Sequence, residues 1–238
     1  VAGVATLGLV ASLWLTGCGR IGFDALGADS VVPADAAFAT PQLVQTQLNG
    51  GTGTSIGVVV TATTANSLVV VATGSWGPSS TIAGVSDDAG NIYVSANARA
   101  TTGAGAGEIW YASNAAAGAT TITVTWISST NTEAWVAEVS AMDPTPLDTV
   151  AVQSDGVITN PVSAPTVTTT APAFVVTMLG GVSSVGAIHA PFTAMPTLYG
   201  DDMAYTIATA AGAYGATWDD ANVGAYHAST AAFKAAQL

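Results

Sequence analysis

Only three basic residues, Arg20, Arg99 and Lys234, stand against 15 acidic ones in this chain of 238 residues. The net charge of −12 leaves no basic patch to neutralise phosphates, which excludes nucleic acid as a partner. It would also repel the chain from anionic membrane surfaces, so membrane attachment requires a hydrophobic or covalent anchor. Reactive side chains are equally scarce. Histidine occurs twice, at His189 and His227, and cysteine once, at Cys18. What fills the chain instead is Gly, Ala, Ser, Thr and Val. Half of the residues are apolar and only 8% are charged, which supplies β-branched material for a core and argues against wholesale disorder.

Residues 1–17, VAGVATLGLVASLWLTG, carry no charge and end in small residues, the pattern of a signal-peptide apolar core. The run is short for a membrane span, which needs about 20 apolar residues, and Gly3 and Gly8 weaken it as a helix. Its last residues and the lone cysteine, LTGC from Leu15 to Cys18, resemble the lipobox of bacterial lipoproteins. That resemblance implies cleavage before Cys18 and diacylglycerol on its sulfur. It also implies, through Gly19, transfer to an outer membrane. Two or more acyl chains convert marginal membrane binding into stable anchoring. From Cys18 to about Thr40 the chain shows little periodicity and reads as a tether with a reach of roughly 25 Å.

From residue 41 to residue 238 the dominant signal is period-two alternation in short segments separated by Gly, Asn, Asp, Ser and Pro. In TTITVTWI, residues 120–127, Ile122, Val124 and Trp126 fall on one face and three threonines on the other. The turn DDAGN, Asp87 to Asn91, predicts a connection between two strands. These patterns predict an all-β chain. An internal similarity accompanies them. TANSLVVV from Thr64 matches TAPAFVVT from Thr170 at an offset of 106, and YASNAAAGA from Tyr111 matches YTIATAAGA from Tyr205 at an offset of 94. Each pair is followed by a tryptophan strand, at Trp126 or Trp218, and then by an aromatic-led strand. Two similar halves follow, as two separate sandwiches or as one. The expectation is a single sandwich with strands of both halves interleaved.

The segments AGNIY (Ala89 to Tyr93) and WYASNAAAG (Trp110 to Gly118), with the late aromatic strand from Trp135, resemble the jelly-roll sandwich modules of bacterial secreted and phage proteins. The resemblance spans about residues 41–236 and implies a jelly-roll-like antiparallel β-sandwich of about 10–14 strands in an extracellular setting. It implies no defined activity.

The chemistry-bearing residues form no catalytic motif. His189 reads as a loop residue and His227 as a strand residue, neither with the supporting groups of a base. Glu133 and Glu138 fall on opposite faces of a strand, unlike the paired carboxylates of glycoside hydrolases. The aspartate pairs Asp87 and Asp88, Asp201 and Asp202, and Asp219 and Asp220 sit in predicted turns. Their expected role is to accept local backbone hydrogen bonds, with structural calcium as the alternative and no cofactor expected. Trp110, Trp126, Trp135 and Trp218 read as core residues. Trp76, between Gly74 and Gly77, reads as a loop residue able either to cover a core edge or to stack on a sugar. The expectation is therefore a non-catalytic, lipid-anchored envelope protein serving adhesion, ligand binding or envelope structure. Carbohydrate binding at Trp76 is the alternative, and a secreted glycoside hydrolase the third reading.

Overall fold

The computed structural model describes residues 37–77, 80–157, 159–181, 184–199, 202–219 and 225–238. The expected signal segment, the tether up to residue 36, and Cys18 lie outside the described residues. The described residues contain strands and no helix. The first half supplies β1 (Gln42–Val59), β2 (Ser67–Trp76), β3 (Ile82–Asp87), β4 (Val94–Ser95), β5 (Ala100–Thr101), β6 (Gly105–Ala115) and β7 (Thr121–Ser140). The second half supplies β8 (Met142–Val157), β9 (Val162–Ser163), β10 (Val167–Thr169), β11 (Ala173–Gly180), β12 (Thr193–Ala194), β13 (Asp202–Ala208), β14 (Gly212–Tyr214), β15 (Thr217–Trp218) and β16 (Ala225–Ala235).

The two halves build the same sheet. The first is ordered β1-β7-β2-β6-β4, with β3 added to β7 and β5 to β6, and the second is ordered β8-β16-β11-β13-β12. All of the pairings are antiparallel. Register repeats as well as order. Val70 pairs with Ala137 and Tyr111 in the first sheet, and Val176 with Ala231 and Tyr205 in the second, which reproduces the two sequence offsets. The pairing of Ile82 with Trp126 recurs as a bridge between Ile188 and Trp218. The expected interleaving of strands does not occur: each half closes its own sheet, because successive segments find their partners within the half. The crossing between them is Ala141, at φ 63°, between the end of β7 and the start of β8. The segment DPTP, which reads as a connection, lies inside β8 at a register shift against β16.

The sheets face one another across an apolar core, forming an all-β antiparallel sandwich. Leu68, Val70, Ile109, Trp135 and Val139 of the first sheet meet Phe174, Val176, Met178, Met203 and Phe233 of the second. The central strands β2 and β11 are buried on both faces, which explains their continuous apolar runs LVVV and AFVV. Beyond β2, Val69 and Val71 pack with Ile122, Val124 and Trp126 of β7. The same cluster also holds Ala134 and Val136 of β7, so this strand lines it from both ends. A register shift makes that geometry possible. Gly53 of β1 pairs with Thr130 and Ser55 with Thr125, so β7 carries extra residues there and turns a corner. In the second half the short strands β9, β10, β14 and β15 supply the corresponding cover, with Trp218 in the place of Trp126.

Paired structure starts at the first described residues. Ala39 donates to the Ala236 carbonyl at 2.8 Å, and Phe38 bridges Gln237. The DDAGN turn joins β3 to β4 as its composition predicts, with Gly90 at φ 78°. Asp87 anchors it by accepting from the backbone of Ala89 and Asn91, the Asn91 amide and the Tyr93 hydroxyl. Trp126, Trp135 and Trp218 are buried, whereas Trp110 is only half buried. Among the described residues no helix is long and apolar enough to cross a membrane.

Candidate functional site

At the end of the sandwich where β2 and β11 finish, the first sheet opens a pocket of about 410 Å³. Its walls include Trp76 and Tyr199, both 53% exposed, and its polar groups come from Thr52, Ser75, Asn131 and Glu133. Trp76 does not sit in a loop. The small residues before it, Gly74 and Ser75, pair with β6 on one side and with β7 on the other, which extends β2 to Trp76. The Trp76 backbone carbonyl accepts from the Thr130 hydroxyl, and the Thr52 hydroxyl donates to the Asn131 side-chain amide oxygen, which fixes that rim.

Tyr199 arrives from the other half of the chain. Trp135 donates its indole N–H to the Pro196 carbonyl at 2.7 Å, and Leu198 N–H donates to Glu133 Oε2 at 3.2 Å, so the segment leading to β13 is tied to β7. Gly50 makes room for it. A Cβ at that position would stand 2.9 Å from the Tyr199 ring and 3.0 Å from Leu198 Cδ1. No local sequence signal could associate Tyr199 with Trp76 and Glu133, because a cross-sheet contact unites them.

Glu133 is 2% exposed, and its Oε1 has no hydrogen-bond partner among the described residues. Burial pushes its carboxyl above the usual range, only partly opposed by the backbone N–H groups of Leu198 and Tyr199. Glu138 does face the opposite side of β7. Burial pushes it up too, but donors from Gln45 and Thr64, at 2.6–2.7 Å, outweigh that and hold the carboxyl below its usual value. The two carboxylates therefore cannot flank one bond.

The position equivalent to Glu133 in the second half is His227, since Glu133 pairs with Gly74 and His227 with Gly180. His227 is 1% exposed, and both ring nitrogens lack a partner among the described residues. Burial lowers its pKa to about 4. The imidazole lies against Gly105 and Gly107 of the opposite sheet, where added Cβ atoms would meet it at 3.1 and 3.2 Å. Asp202, buried on the far face of the second sheet, accepts from the Trp218 indole and from its own neighbour Met203, and burial raises it to about 6.

The remaining candidates stand apart from the pocket. His189 forms an exposed hydrogen bond with Asp219 at 3.0 Å. Asp88 accepts from Thr120 and Thr121, and these hydrogen bonds lower its pKa to about 2. Asp201 and Asp220 lie outside the described residues. Among the described residues no cluster of three or more His, Cys, Asp or Glu side chains is placed to hold a metal ion.

Fold and site together define the class: a duplicated two-sheet β-sandwich with an aromatic-rimmed, acid-floored pocket at one end. Comparison of the chain with protein-family models, with curated proteins and with solved structures finds no match.

Proposed function

We propose that this protein is a non-catalytic, lipid-anchored component of a bacterial cell envelope whose sandwich binds carbohydrate at Trp76. The pocket formed by Trp76 and Tyr199 with Thr52, Ser75 and Asn131 supports this reading. Exposed indole and phenol faces suit the C–H faces of a sugar ring, while hydroxyl and amide groups suit its hydroxyls. The placement of Glu133 and Glu138 on opposite faces of β7 favours binding over hydrolysis. The anchor rests on LTGC at the end of an uncharged apolar run, with the only cysteine at the expected point of lipid attachment.

Glycan-array screening followed by calorimetry tests the binding. Loss of Trp76 removes a central aromatic anchor, so Trp76→Ala should weaken affinity by about 30-fold. Binding that survives the substitution undiminished would remove the site. Mass spectrometry of the host membrane fraction tests the anchor: an acylated mature amino terminus at Cys18 is expected, and an unmodified thiol or an intact leading segment would overturn it.

A further inference from the structure

Resting on that reading, we infer that the pocket selects a ligand carrying a protonated amine, and that Glu133 is the residue that receives it. A carboxylate that is 2% exposed with one oxygen unpartnered is costly unless something pairs with it. The described residues lining the pocket contain no cation that could do so. A donor from a ligand would relieve that cost, and the surroundings favour a positive one. Trp76 and Tyr199 line the pocket, and aromatic rings attract cations over their faces. The net charge of −12 draws cations toward the protein and repels anions. An amino sugar satisfies both halves of the site, its ring on the aromatics and its ammonium on Glu133. A neutral sugar would offer the carboxyl only an uncharged hydroxyl, a weaker partner than an ammonium, and an acidic one would oppose it.

The test is calorimetric titration of the protein with a glucosamine hexamer, a glucose hexamer of the same linkage, and 1,6-diaminohexane. The glucosamine hexamer should bind at least about tenfold more tightly than the glucose hexamer, the discrimination a charged hydrogen bond provides. Glu133→Gln should erase that preference while retaining the fold, and Trp76→Ala should weaken both sugars. A preference for the glucosamine hexamer that disappears at high salt, or that persists in Glu133→Gln, would reflect the net charge alone and overturn the assignment to Glu133. Equal binding of the two hexamers would overturn the amine inference and leave the sugar reading intact. Binding of the diamine alone, lost in Glu133→Gln, would support the cation site and overturn the sugar reading. Binding of none of the three would overturn both.

Discussion

Glu133 and His227 occupy the same place in two copies of one sheet, yet one lines an open pocket and the other is closed over. The difference lies across the sandwich. Opposite Glu133, the second half brings Leu198 and Tyr199, whose ring stands at the rim. Opposite His227, the first half brings Gly105 and Gly107, whose lack of side chains lets the strand approach the imidazole. In sequence, Tyr199 follows Gly105 by 94 residues, the offset that relates β13 to β6, but it lies ahead of β13 rather than in it. The repeated frame places both groups alike, and what the opposite half brings against each differs: an aromatic rim at Glu133 and side-chain-free glycines at His227.

The strongest way to break the comparison is to remove the core both halves share. Phe174 and Leu68 are equivalent residues buried on the inner faces of β11 and β2. Phe174→Ala should cost about 3–5 kcal/mol and Leu68→Ala about 2–5 kcal/mol. Chemical denaturation would show a single transition moving in both variants if the halves unfold as one. Two separated transitions would show that each sheet stands by itself.

The buried titratable groups sharpen the contrast by pH. His227 has a folded pKa of about 4, below its usual 6.5, so its neutral form stabilises the fold above pH 6.5. That contribution is lost as pH falls toward 4. Asp202 has the opposite sign. Its folded pKa of about 6 lies above the usual 3.8, so its contribution is complete below pH 3.8 and lost as pH rises through 6. Each is worth on the order of 3 kcal/mol across its window. Melting temperature followed between pH 4 and 7 should show His227→Leu gaining stability relative to wild type on the acid side. Asp202→Asn should gain on the neutral side, since its amide oxygen still accepts from Trp218.

A smaller effect is expected at the pocket itself. Gly50→Ala places a methyl against the Tyr199 ring and Leu198, which should cost about 1–3 kcal/mol and displace the ring from the rim. Calorimetric affinity should then fall more than stability alone predicts. An unchanged affinity would show that Tyr199 contributes nothing to the ligand.

The parts of this fold legible in the sequence are those set by local pattern. Alternation in TTITVTWI places Ile122, Val124 and Trp126 inward, and the spacing of Glu133 and Glu138 sends them apart. Self-similarity reveals the two halves, but a repeat carries no information about which strands exchange hydrogen bonds, so it could not show that each half closes its own sheet. Trp76 reads as a loop residue because Gly and Ser surround it. The sheet extends there through long-range pairing with Gly105 and with the neighbours of Glu133, a tertiary choice that overrides local propensity. Tyr199 and the enclosure of His227 depend on contacts between the halves and leave no mark on either segment alone.

The short crossing at Ala141 has a further consequence. The contact of β7 with residue 199 in one direction, and of β16 with residue 105 in the other, is the reciprocal pattern of a two-fold dimer, here written into one polypeptide. Identical subunits would have to carry the same group at both sites, two open or two closed. Joining them covalently lifts that constraint, so one copy can be spent on recognition while its twin, sealed by glycine, keeps the pair together.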